Sequence, residues 1–139
     1  MVAFFSPWEF LCPCCGEGSG KISELLVTRL DTLRGERGEP VFVNSGWRCA
    51  VHNMRVGGSR VSRHLIGCAA DIRIATGSGG RFSMFTQLAE RLCRLPGWEF
   101  LLYQNFIHIA VPRAESARRW SGTEPAFIPG CFIEPLKIA

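Results

Sequence analysis

Ser62-Arg63-His64-Leu65-Ile66-Gly67-Cys68-Ala69-Ala70-Asp71 is the stretch on which the rest of the chain turns. It opens with an imidazole at His64 and ends seven residues on with a carboxylate at Asp71. Gly67 between them allows a sharp turn, after which residues 69–74 read as a strand. Asp71 is flanked by Ala69, Ala70, Ile72 and Ile74, so an apolar strand carries one acidic group. A buried carboxylate needs a partner to offset its desolvation, and the returning strand brings it beside His64. The chain has three histidines, His52, His64 and His108. His108 sits in a similar apolar run, Phe106-Ile107-His108-Ile109-Ala110-Val111. Taken singly, each of these residues also reads as a hydrogen-bonded polar group of a core. Together, two imidazoles and a carboxylate make a facial set of three N/O ligands, the set that a catalytic zinc ion takes with one position left to water.

The chain around this stretch alternates helix and strand signals. Residues 1–20 form an irregular N-terminal lead-in with apolar anchors Phe4, Phe5, Trp8 and Phe10. Ser23 is an N-cap for a helix over about 24–37, where Leu25, Leu26, Leu30 and Leu33 recur at helical spacing and Gly38 is a stop. Residues 41–45 are a short β-branched strand closed by Gly46. A short helical piece falls near 50–56, and 64–67 is a turn. A loop carries Gly77, Gly79 and Gly80. A second helix over about 83–95 shows Phe85, Leu88, Leu92 and Leu95 on one side and ends at Pro96-Gly97. Residues 98–103 and 106–111 are strand-like runs separated by Gln104-Asn105, a two-residue hairpin gap. Residues 121–139 contain Pro125, Pro129, Gly130 and Pro135 and read as a surface wrap. The fold class is α+β, a small antiparallel sheet packed with helices in a single domain spanning 1–139.

Composition excludes several classes of protein. Of 139 residues, 47% are hydrophobic and 20% charged, and ten Phe with four Trp supply bulky core material. That suits a globular chain and not a disordered one. No window holds the ~18 consecutive apolar residues of a membrane helix. The first ten residues are apolar but carry Pro7 and Glu9 without a basic leader, so they do not read as a signal peptide. The expectation is synthesis in the cytoplasm, with no membrane partner. A formal charge of +4 comes from scattered arginines with a small cluster at Arg113, Arg118 and Arg119. That is not the concentrated basic stripe of a nucleic-acid binder, though a mild positive field favours an anionic partner.

Seven cysteines are many for a cytosolic chain, and the odd number leaves at least one unpaired. Cys12, Cys14 and Cys15 crowd one turn, while Cys49, Cys68, Cys93 and Cys131 are spread out. Three readings stand: a disulfide tying the N-terminal loop to the core, a second metal site, or small buried hydrophobes. A Cys-x-Cys-Cys cluster with no matching downstream pair is a poor zinc-finger signature.

Three motifs in order carry a family resemblance over roughly residues 4 to 120: Ser45-Gly46-Trp47-Arg48, then Ser62-x-His64-x-x-Gly67-x-Ala69-x-Asp71, then Phe106-Ile107-His108-Ile109. This pattern resembles the zinc D-Ala-D-Ala carboxypeptidase family, whose fold is shared with hedgehog signalling domains. Phe5-Ser6-Pro7-Trp8-Glu9-Phe10-x-Cys12 and Asn44-Ser45-Gly46-Trp47-Arg48-Cys49-x-x-His52-Asn53 are similar to its short, often phage-encoded branch. The resemblance implies that His64, Asp71 and His108 hold Zn2+. It also implies that Arg48 holds a substrate carboxylate or polarises the scissile carbonyl, for which a guanidinium fork is well suited. Ser62 is placed either near the metal, as a substrate-binding group, or as the cap of the turn. His52 reads as a turn residue.

The implied function is hydrolysis of peptidoglycan stem peptides by metal-activated water, either as a D-Ala-D-Ala carboxypeptidase or as a related D-residue endopeptidase. The enzyme would be a monomer acting on the wall once released or delivered by a phage. The alternative is a non-catalytic peptidoglycan-binding or phage structural module that keeps the fold. Many relatives carry an acid three residues before the last zinc histidine, where this chain has Asn105. Others carry Asp two residues after it, where Ala110 stands. Hairpin alternation offers another acid. With Gln104-Asn105 as the turn, Leu101 faces His108 and Glu99 faces Ala110, so Glu99, Leu101 and Tyr103 share the His108 face. Glu99 is then the expected catalytic base, reaching the site through a water. Tyr103 becomes a candidate donor to the substrate oxyanion or else a core aromatic.

Overall fold

The computed structural model describes residues 2–74 and 83–122. The predicted glycine loop (Gly77, Gly79, Gly80), Cys131 and most of the predicted C-terminal wrap lie outside the described residues. Helix α1, Glu24–Arg37, starts where Ser23 accepts a hydrogen bond from the Leu26 amide. It stops at Gly38, whose φ of 67° closes the last turn on the Arg34 carbonyl. Leu26, Val27, Leu30 and Leu33 are buried, the stripe that faces the sheet. Strand β1, Val41–Ser45, leads to the short helix α2, Ala50–Arg55, capped by the Cys49 side chain. A 3-10 turn, Arg63–Ile66, precedes β2, Ala69–Ile74. Helix α3, Met84–Cys93, is capped by Ser83, and the hairpin β3, Glu99–Leu102, and β4, Ile107–Ala110, follows.

Strand order is β1-β2-β4-β3, every pair antiparallel. The core lies between the sheet and helices α1 and α3, and includes Leu26, Leu30, Ile72, Phe85, Ile107 and Ile109. The other face of the central strands is left for the site. The architecture is the expected α+β, a small antiparallel sheet packed with helices. No helix among the described residues is long and apolar enough to cross a membrane.

Three local differences have physical causes. The lead-in contains a 3-10 turn, Pro7–Phe10, preorganised by Pro7 and closed by a capping box between Ser6 and Glu9. Helix α3 buries Phe85, Ala89 and Cys93, whereas Leu95 is exposed. The helix ends before it, because the residue preceding a proline is disfavoured in helical conformation. The hairpin strands are shorter than the apolar runs that predict them, although Tyr103 still donates to the Phe106 carbonyl at 2.9 Å across the turn.

Candidate metal centre

One row of residues crosses all four strands: Ser45 opposite Asp71, Asp71 opposite His108, His108 opposite Leu101. Directly opposed residues share a face of the sheet, so Asp71 and His108 project side by side. A register irregularity between Val43 and Ser45 lets the end of β1 join this row. His64 reaches the same point from the 3-10 turn. Ser62 caps that turn by accepting from the His64 amide at 3.2 Å. Gly67 ends it at φ 75°, and a Cβ there would run into the Lys21 carbonyl.

The Oδ1 of Asp71 lies 2.8 Å from Nδ1 of His108 and 3.3 Å from Nε2 of His64. Its Oδ2 accepts from Nη2 of Arg48 at 3.2 Å. The remaining guanidinium nitrogens donate to Ser45 Oγ at 3.0 Å and Asn53 Oδ1 at 3.1 Å. On the far side of His108, Nε2 lies 2.9 Å from Oε1 of Glu99. Arg63 approaches the other Glu99 oxygen at 3.8 Å while donating to the Gly97 and Val111 carbonyls. Arg48, Arg63, His64, Asp71, Glu99 and His108 line an open cleft of about 430 Å3, with Tyr103 stacked on Phe106 at its rim, centroids 4.5 Å apart.

A cation fits this donor set, and His64 supplies the test. Its Nδ1 lies 2.8 Å from the Gly46 carbonyl oxygen, which can only accept, so Nδ1 carries the proton. Nε2 then presents a lone pair. It is buried, finds no hydrogen-bond partner among the described residues, and faces a carboxylate oxygen. Two acceptors that close, both out of water, repel unless a positive charge sits between them. One donor atom each from His64, Asp71 and His108 lies within 4.8 Å of the others. The Gly46 carbonyl and the Glu99 carboxylate fix the two ring orientations from behind, as outer partners of metal-bound histidines do.

The electrostatics agree. Burial by itself pushes the Asp71 carboxyl up, but chiefly the hydrogen bond from the His108 ring outweighs it and holds the group well below the usual carboxylate range. Burial lowers His108, yet its bonds to Asp71 and Glu99 dominate and raise it. Glu99 follows Asp71: burial raises it, and His108 with Arg63 brings it below its ordinary value. In the metal-free protein, Asp71 and Glu99 therefore contribute stability above their unfolded pKa of about 4, and that share is lost as pH falls through the lower folded values. His108 contributes fully below about pH 6.5, and its share is lost as pH rises through the raised folded value. Chelated protein should melt highest between about pH 4 and 6.5, and His108→Ala should remove the alkaline decline. A chelated wild-type profile that stays flat from about pH 5 to 8 contradicts this balance.

Two imidazoles and a carboxylate brought together in an open cleft make a donor set suited to one metal ion, as in the metal-dependent hydrolases. The Peptidase M15 family model matches residues 4–110, and the chain belongs to that family of zinc-dependent metallopeptidases. No curated protein matches the chain.

The structure brings together seven of the residues singled out in the sequence: His64, Asp71, His108, Arg48, Glu99, Ser62 and, at the rim, Tyr103. One placement differs from expectation. Glu99 touches His108 directly rather than through a water, because the diagonal of the hairpin is short enough for a glutamate to span. The Ser62 hydroxyl accepts from the His64 amide, as the turn cap does, and the residue also lines the cleft. His52 lies on α2 away from the ligand row. Sequence reasoning missed the Gly46 carbonyl, Ser45, Asn53 and Arg63. Ser45, Gly46 and Asn53 left one signal, since they stand in the Asn44–Asn53 segment that carries the resemblance.

Proposed function

We propose that His64, Asp71 and His108 hold one zinc ion and that the protein hydrolyses peptidoglycan stem peptides at D-Ala-D-Ala or another bond involving a D-residue. The observation that carries the reading is the buried, unpartnered Nε2 of His64 facing Asp71 Oδ1 in a cleft open to solvent. Zinc, when bound, supplies Lewis acidity that polarises a carbonyl and lowers the pKa of a water. Every other contribution comes from the chain. Arg48 holds Asp71 by Oδ2, which directs Oδ1 at the imidazoles. Its guanidinium also lines the cleft, where with Arg63 and Arg113 it offers positive charge to a peptide carboxylate or a developing oxyanion. Tyr103 and Phe106 give the rim a stacked apolar wall for a substrate side chain. Delivery to the wall by release from the cell or by a phage completes the proposal.

Glu99 is the one carboxylate lining the cleft, among the described residues, besides Asp71. Its lowered pKa makes it a weak proton acceptor. Its contact with His108 suits it better to hold the Nε2 proton and so turn Nδ1 toward the metal. Glu99→Gln keeps an acceptor for that proton and should retain zinc affinity and turnover within a few-fold. Glu99→Ala should lose about 10- to 100-fold in zinc affinity. A Glu99→Gln variant that binds zinc normally but loses kcat by about 100-fold or more would return Glu99 to the role of general base.

The test of the reaction is direct. Purified protein saturated with zinc is incubated with stem peptides between about pH 6 and 9, and products are read by mass spectrometry. Release of a terminal D-alanine, or cleavage beside a D-residue, is expected. Binding of muramyl peptides without cleavage would favour the non-catalytic module, for which Asn105 and Ala110 at the family's acid positions are the specific support.

A further inference from the structure

The six described cysteines are all free thiols, and they fall into two groups. Cys68 and Cys93 are buried in the core among hydrophobic residues, and desolvation pushes Cys93 up to about 12. They behave as small hydrophobes. The other four converge from two distant segments. Cys12, Cys14 and Cys15 come from the N-terminal loop, and Cys49 comes from the cap of α2. The Sγ of Cys49 lies 3.7 Å from that of Cys12 and 3.8 Å from that of Cys14. Cys12, Cys15 and Cys49 bring their sulfurs within 4.8 Å of one another, and a nitrogen of His52 comes equally close to Cys12 and Cys14.

From this convergence we propose a second zinc site, structural in kind, held by the thiolates of Cys12, Cys14, Cys15 and Cys49, with His52 beside it. In a tetrahedral site with Zn–S near 2.3 Å the sulfurs stand about 3.8 Å apart, which is the spacing of the two pairs measured to Cys49. The surroundings already serve such a centre. The His52 amide donates to Cys49 Sγ at 3.3 Å, and an Arg55 guanidinium nitrogen lies 3.9 Å from Cys14 Sγ. Both offset thiolate charge, as outer partners of a metal site do. The loop itself is closed by bonds from the Cys12 amide to the Glu17 carbonyl and from the Gly16 amide to the Cys12 carbonyl. The sequence shows no downstream Cys pair for a zinc finger; the fold supplies Cys49 and His52 instead.

The site pins the N-terminal loop to the start of α2, directly after Arg48. It lies apart from the His64–Asp71–His108 cleft, and none of its four thiols lines that cleft. Zinc here would brace the chain that carries Arg48 and take no part in hydrolysis.

The test uses full-length protein purified without oxygen and in reductant, with zinc measured by elemental mass spectrometry and its neighbours by X-ray absorption. Wild type should carry two zinc ions. The variant His64→Ala/His108→Ala should carry one, with a sulfur shell near ~2.3 Å. Adding Cys14→Ser and Cys15→Ser, both exposed positions that leave the core intact, should remove it. A His64→Ala/His108→Ala protein without zinc, or with zinc surrounded only by nitrogen and oxygen, overturns the proposal. One sulfur-bound zinc in wild type and variant alike supports this site while removing the His64 centre, so the two readings fail separately.

Discussion

His64→Ala and His108→Ala should each bind one zinc ion fewer than wild type and lose peptide hydrolysis by more than about 1,000-fold. His64 enters the site on a capped 3-10 turn, with Nδ1 tied to the Gly46 carbonyl, which aims its Nε2 at Asp71. Removing it leaves Asp71 with His108 and Arg48, an ordinary ion-pair cluster without a facial set of donors. His108 is the more accessible of the two rings, so its truncation carries less risk of a core cavity and separates loss of metal from loss of fold. Zinc content and initial rates on the same preparations check the expectation. Variants that still hydrolyse within tenfold of wild type would show that the reaction does not use this centre.

Gly67→Ala should have the largest effect on stability, at least about 3 kcal/mol, or about 10 °C in Tm. Two costs add at this position. A non-glycine residue in the left-handed conformation is disfavoured by about 1–2 kcal/mol. The new methyl also has nowhere to go, since the Lys21 carbonyl and the Ile22 backbone occupy its place. The Ser23 amide meanwhile bonds to the Gly67 carbonyl at 2.8 Å, so moving Gly67 disturbs the start of α1 as well as the turn that presents His64. Thermal melting of the chelated protein measures the fold term without the metal. A Gly67→Ala protein that melts with wild type would mean that this turn is softer than its packing implies.

Much of the site was legible because its two strand residues obey a two-residue period. Alternation about Gln104-Asn105 gives the Leu101–His108 pairing and puts Glu99 on the same face, as the register shows. An isolated acid in an apolar strand marks Asp71 by its desolvation cost alone. What local pattern cannot supply is the order of strands. Nothing in 69–74 says that β2 inserts between β1 and β4, yet that placement is what sets Asp71 opposite His108. The same gap hid the Gly46 carbonyl behind His64, the Arg48 bridge to Asp71 and the approach of Cys49 to the N-terminal loop. Each joins segments distant along the chain, and each depends on backbone packing rather than on residue type. Leu95 misled for a local reason: helical spacing continued past the point where Pro96 stops the helix.

A zinc-soaked crystal of the full-length protein, measured at the zinc absorption edge, tests the central claim most directly. The account predicts an anomalous peak in the cleft within about 2.0–2.2 Å of His64 Nε2, Asp71 Oδ1 and a ring nitrogen of His108. A cleft without that peak, with a water or protein donor bonded to His64 Nε2 instead, would contradict it.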